Sequence, residues 1–186
     1  MLTPRMHRLP PSGATAGHNL PDLLAPSLRV VFVGTAAGSH SAKVGHYYAG
    51  PGNRFWDTLH EVGLTPRLFE PCEFGELLAL GIGLTDMSKK QGFGRDSRIA
   101  GHQFDPDRFE AAMRRYRPRA VAFTSKKAAS VWLRRSGTGA IAYGRQPVAP
   151  DFPEVFVLPS PSGAARSYWS LAPWQELAGW LRALPS

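Results

Sequence analysis

Leu28-Arg29-Val30-Val31-Phe32-Val33-Gly34 reads as a buried β-strand. Apolar residues follow one another without the alternation of a half-exposed strand, β-branched side chains dominate, and a glycine ends the run, as in a strand buried on both faces. Burial on two faces favours a parallel sheet covered by helices over a sandwich. Ile82-Gly83-Leu84-Thr85, Ala120-Val121-Ala122-Phe123-Thr124 and Val155-Phe156-Val157-Leu158 read as further strands. Between them lie helical patterns. After a Gly-rich loop, Asn53 to Gly63 sets Phe55, Trp56, Leu59 and Val62 on one stripe, with Gly63 as a stop. A short helical turn is expected around Glu76 to Leu80. Asp105-Pro106 supplies an N-cap and a first helical proline to a helix that carries Phe109, Met113 and Tyr116 until Pro118. Helices from about Lys126 to Arg135 and near Trp174 to Leu184 complete the pattern. Strand and helix alternate throughout, which predicts an α/β domain with a central, mostly parallel sheet, right-handed crossovers and helices on both faces.

Composition sets the class. With 186 residues and 43% of them hydrophobic, the chain can bury a core without disulfide or metal staples. Residues 1–25 hold Pro4, Pro10, Pro11, Gly13, Gly17 and Pro21 with little apolar periodicity, so they read as a flexible arm before a single domain over 26–186. Twenty-two Lys and Arg against 14 Asp and Glu leave a formal charge of +8, and a polyanion such as nucleic acid becomes the first partner to test. The one cysteine, Cys72, cannot form an internal disulfide and fits a reducing compartment. No run approaches the ~20 apolar residues of a membrane helix, and prolines and polar residues interrupt the N-terminus. A cytoplasmic protein is expected, nucleoid-associated in a prokaryote.

In open parallel α/β sheets, ligands bind beyond the carboxyl ends of the strands. That rule selects Gly34-Thr35-Ala36-Ala37-Gly38-Ser39, Thr85-Asp86, the Thr124-Ser125-Lys126 turn, and Ser160 to Arg166. The first looks like a phosphate loop but lacks the lysine and the spacing of a Walker sequence.

Leu28 to Gly34, Gly45-His-Tyr-Tyr-Ala-Gly-Pro-Gly-Asn-Arg-Phe-Trp56, Gly81-Ile-Gly-Leu-Thr-Asp86, Tyr143-Gly-Arg-Gln-Pro147 and Leu158-Pro-Ser-Pro-Ser-Gly-Ala-Ala-Arg166 together resemble the mismatch-specific uracil-DNA glycosylase and thymine-DNA glycosylase family. The likeness spans about Ala25 to Leu184. It implies a three-layer α/β/α domain that removes uracil, and sometimes thymine or other damaged bases, from mispaired double-stranded DNA, as a monomer and with no metal or organic cofactor.

The resemblance also assigns residues. Tyr48 matches the family's aromatic pocket residue, and an extruded base needs such a stacking face. The competing reading has Tyr47 and Tyr48 simply packed on the helix that follows. Asn53 is placed to bind a base or phosphate, or to cap that helix. The family pattern after the first strand is Gly-Ile-Asn-Pro-Gly, whose asparagine positions the attacking water; here Ala36 stands in its place. Thr35, Ala36 and Gly38 would then offer the base mainly backbone amides. Asp86 is the best replacement, because cleavage of the bond between base and sugar builds positive charge that a carboxylate stabilises. A loop-capping Asp is the plainer alternative. Asp96 is the second choice, with Arg95 pairing or solvation as its alternative. His40 and His46 flank the pocket loops.

The Ser160 to Arg166 loop resembles the segment that enters the DNA stack. Ser160 and Ser162 offer hydroxyls to phosphate, Gly163 allows close backbone approach, and Arg166 can reach the orphan base. Ala164 provides little bulk beside Ala165, so either weaker discrimination of the opposite base or Arg166 as the plug is expected. Lys89 and Lys126, with Lys90, Arg95, Arg98 and Lys127, would line the crevice with positive charge. The Arg114 to Arg119 stretch reads as a solvated basic face. Two competitors stand beside the glycosylase: a non-catalytic binder of damaged DNA, and a glycosylase for another base such as hypoxanthine.

Overall fold

The computed structural model describes residues 20–89 and 104–185. Five strands form one sheet in the order β2-β1-β3-β5-β4. β1 (Val30–Gly34) pairs in parallel with β2 (Ile82–Asp86) on one side and with β3 (Ala120–Phe123) on the other, and β3 pairs in parallel with β5 (Glu154–Val157). β4 (Gly144–Gln146) closes the edge antiparallel to β5. This is the mostly parallel α/β architecture expected from the strand patterns, with one antiparallel edge strand added.

Alternate residues of each strand feed two separate cores. Val30, Phe32, Ile82, Leu84, Ala120, Ala122 and Phe156 meet Phe55 and Leu59 of α2 (Phe55–Glu61) and Trp174 and Leu177 of α5 (Ala172–Arg182). Val31, Val33, Val121, Phe123, Val155 and Val157 meet Phe109 and Met113 of α3 (Pro106–Tyr116) and Ala128 and Ala129 of α4 (Lys126–Trp132). The continuous apolar run of β1 is therefore a consequence of helices on both faces. Burial of each such side chain is worth about 1.5–3 kcal/mol, so both layers are firmly held.

Local chemistry ends the helices where expected. Asp105 caps α3 by accepting from the Arg108 N–H at 2.9 Å, Pro106 opens it, and Arg117 turns left-handed just before Pro118. Ser125 caps α4 through the Ala128 N–H at 3.0 Å. Three elements differ from the sequence expectation. Ser39–Val44 is a short helix, α1, inside what reads as a Gly-rich loop. The turn near Glu76 extends into a 3-10 segment over Pro71–Leu80, closed by a reciprocal Glu70 and Glu73 capping box. β4 was not expected at all.

Core contacts also begin earlier than Ala25. Leu20 and Leu23 are buried, and Leu23 pairs with Leu84 through reciprocal backbone bonds of 2.9 Å. Residues 1–19 lie outside the described residues. Among the described residues, no helix is long and apolar enough to cross a membrane.

Candidate active site

The loops after β1, β3 and β5 and the last residue of β2 converge on one cavity of about 660 Å³. From β1 come Gly34 to Gly38, from β2 Asp86, from β3 Thr124 and Ser125, and from β5 Ser160 to Ser162. The cavity thus sits beyond the carboxyl ends of the parallel strands, beside β1, where the connections diverge toward β2 on one side and β3 on the other.

Asp86 is the last residue of β2, 4% exposed, and stands opposite Gly34 in the register. A Cβ on Gly34 would collide with Asp86 Oδ1, so the glycine makes the room in which the carboxylate lies. The Asp86 backbone carbonyl accepts from Arg108 Nη2 at 2.7 Å. Arg108 Nη1 in turn donates to Asp22 Oδ2 at 2.9 Å. Asp22 also receives Lys89 Nζ at 2.5 Å and the Thr85 hydroxyl at 2.6 Å on its other oxygen. One carboxylate from the N-terminal segment therefore draws together the strand end, the residues after it and α3. Leu20, from the same segment, forms part of the cavity wall.

Lys89 is consequently turned away from the crevice-lining role expected of it. Its ammonium is committed to Asp22, to the Leu20 carbonyl and to the Tyr47 hydroxyl, the last two at 3.0 Å each. Lys126 likewise does not line the cavity; its ammonium lies 4.4 Å from the centre of the Tyr143 ring. Both departures have one cause: a neighbouring carboxylate or aromatic face competes successfully for the cation.

The same cavity holds several hydroxyls. Thr35 Oγ1 and Ser125 Oγ lie 2.9 Å apart, and Tyr48 Oη and Thr124 Oγ1 3.2 Å apart. Thr124 Oγ1 also lies 3.2 Å from the Val33 carbonyl, to which it can donate. Tyr48 lines the cavity with one ring face stacked on Phe55, centroids 3.9 Å apart. Its φ of 53° is left-handed, a conformation a bulky residue adopts only when its surroundings hold it. Tyr47 is buried and donates to the Pro21 carbonyl. Burial, followed by the charges of Asp86 and Asp22, drives its phenol well above the ordinary tyrosine value.

Thr35, Ala36, Gly38, Tyr48, Asn53, Ser160, Ser162, Ala164 and Ala165 all line this one cavity. Asn53 also accepts from the Phe55 N–H at 3.0 Å, so it serves the start of α2 as well. Gly163 sits behind the wall: a Cβ there would press on the Pro51 carbonyl at 3.2 Å, and Arg54 N–H bonds to the Pro161 carbonyl, which zips the two lips together. Arg166 is exposed and reaches toward Gly52. His40 lines the cavity, whereas His46 packs against Phe74. Asp96, Lys90, Arg95 and Arg98 lie outside the described residues. Ser39, Thr124 and Ser125 belong to stretches the crevice rule selects and also line the cavity, whereas Leu20, in the N-terminal segment, carries no sequence signal.

Among the described residues, no group of His, Cys, Asp and Glu could hold a metal ion. The profile of the uracil DNA glycosylase superfamily matches residues 21–182. Among solved structures, the chain is similar to the solution NMR structure of a candidate uracil DNA glycosylase from Methanosarcina acetivorans. The TM-score is 0.62 and the identity 23%, over 89% of this chain and 97% of that one.

Proposed function

Because the chain belongs to the uracil DNA glycosylase superfamily, we propose that it is a monofunctional glycosylase that hydrolyses the bond between uracil and deoxyribose in mispaired double-stranded DNA. The observation that carries the reading is a nearly buried carboxylate, Asp86, in the wall of a cavity that also holds an aromatic ring and several hydroxyls. Extrusion of a nucleotide costs a few kcal/mol, least at a mismatch, which favours weakly paired uracil. The extruded base stacks on the face of Tyr48 that Phe55 leaves open.

As the bond from the anomeric carbon to the base breaks, its electron pair leaves with the base and positive charge grows on the sugar. Asp86 stabilises that charge and orients the water that attacks the same carbon, work that Ala36 cannot do. Backbone amides from Thr35 to Gly38 meet the departing anion. The product keeps an intact strand with a baseless sugar, which breaks only under alkali or heat.

A duplex with one G·U pair tests the reading. Alkali-labile breaks should appear with the native chain and fall about 10²- to 10³-fold with Asp86→Asn, the size typical for loss of one electrostatic group. Ala36 favours a second reading, lesion binding without turnover; a retarded band with intact uracil supports it over catalysis. Parallel duplexes with A·U and a single strand test the preference for mispairs.

A further inference from the structure

Stacking on an extruded base asks only for the ring of Tyr48, and a phenylalanine would serve as well. The hydroxyl is left without a task, yet it lies at a crossing point. The place a Cβ on Gly34 would take is overrun by Asp86 Oδ1 and is 3.4 Å from Tyr48 Oη, so carboxylate and phenol meet over the same glycine. On the other flank of β1, Thr124 Oγ1 stands 3.2 Å from Tyr48 Oη. Oxygens from Thr124 through Tyr48 to Asp86 thus cross the ends of three adjacent strands, β3, β1 and β2. The phenol has little freedom there: its backbone is left-handed at a φ of 53°, and its ring lies on Phe55 with centroids 3.9 Å apart. Strain of that kind persists only where the surroundings hold it, and it gathers at functional sites.

A carboxylate only 4% exposed needs donors in place of water. The three protons of Lys89 face Asp22, the Leu20 carbonyl and the Tyr47 hydroxyl. Arg108 directs one nitrogen to Asp22 and another to the Asp86 backbone carbonyl. The Tyr47 hydroxyl gives its proton to the Pro21 carbonyl. The Val33 carbonyl already accepts from the Thr124 N–H at 2.9 Å, which frees the Thr124 hydroxyl to serve the phenol oxygen. We propose that the Tyr48 hydroxyl is a positioning group for Asp86: it donates its one proton to one carboxylate oxygen and leaves the other turned to the water and the sugar. Thr124 donates to the phenol oxygen in turn. This role rests on the reading of the chain as a glycosylase that uses Asp86.

The test follows uracil release from a G·U duplex by the full chain in single turnover. Binding is read by fluorescence anisotropy on the same duplex with 2′-fluorinated deoxyuridine, whose fluorine opposes the sugar cation and blocks cleavage. Tyr48→Phe keeps the ring and removes the hydroxyl. Release should slow about 10- to 100-fold, the range for a hydrogen bond to a charged group, while affinity for the fluorinated duplex changes less than about twofold. In an Asp86→Asn background the same substitution should slow release less than about threefold, because a group that acts through the acid has nothing left to act on. Thr124→Val should slow the native chain, add nothing to Tyr48→Phe, and give way to normal release in Thr124→Ser; this second cycle decides if the Asp86→Asn rate is too slow to read. A full rate in Tyr48→Phe, an equal loss with and without the Asp86 carboxylate, or a loss of affinity as large as the loss of rate overturns the assignment. Full release by Asp86→Asn takes the acid, and this role with it, out of the reaction. If the native chain releases no uracil, the glycosylase reading and the assignment fail together, whereas equal release by the native and Tyr48→Phe chains sinks the assignment alone.

Discussion

Gly34 and Asp86 face each other at the last rung of the β1–β2 ladder, and the carboxylate of one occupies the space a side chain on the other would need. The acid is thus seated by the sheet itself. Gly34→Ala must either push Asp86 out of the cavity wall or shift a strand end. Uracil release should fall by at least tenfold, with a stability loss of about 1–3 kcal/mol as for other overpacked sites. Urea denaturation and a G·U cleavage assay on one preparation check both. Retention of full activity with a normal midpoint would show that the carboxylate position does not matter.

Asp22 holds Lys89 and Arg108 at once, and Arg108 holds the Asp86 carbonyl. All three side chains are only 20–30% exposed, so the pairs fall between surface and buried bridges. Asp22→Asn should therefore cost roughly 1–2 kcal/mol, a fall in Tm of about 2–8 °C. Arg108→Met should lower the rate of uracil release more than it lowers affinity for abasic product DNA. Because the residues share one network, the double variant should lose less than the sum of the singles. Simple additivity would separate the two roles.

Tyr47 supplies the pH prediction. Its folded-state pKa is raised by burial and by the charges of Asp86 and Asp22. A raised value means that its contribution to stability is complete below the unfolded value of about 10 and is lost as pH climbs toward the folded value. Absorbance at tyrosinate wavelengths should show Tyr47 ionising only on unfolding. Tyr47→Phe should leave the native titration curve unchanged and reduce the alkaline fall in stability. A native curve that loses amplitude near pH 10 in Tyr47→Phe would contradict this.

The parts legible in the sequence were those with a period or a position rule behind them. Strands covered on both faces announce themselves as unbroken apolar runs, and the crevice rule then reaches Thr35, Asp86 and Ser160 without further help. β4 stayed hidden because Gly144, Arg145 and Gln146 join the sheet through backbone bonds that leave no apolar pattern. Leu20 and Asp22 stayed hidden because their partners lie 60 or more residues away, among prolines that read as a loose arm. The ends of the two lysines were hidden for a related reason: spacing shows where a lysine begins, whereas Asp22 and Tyr143 decide where Lys89 and Lys126 end.

The Asp22–Arg108 pair spans 86 positions of the chain. During synthesis the segment around Leu20 emerges well before its anchor on α3. Loop closure over such a separation follows the formation of nearer contacts. β1 and β2 pair over a shorter separation, so the expected order has that pair in place before the brace closes, and a nascent chain stalled before α3 would carry Asp86 without it.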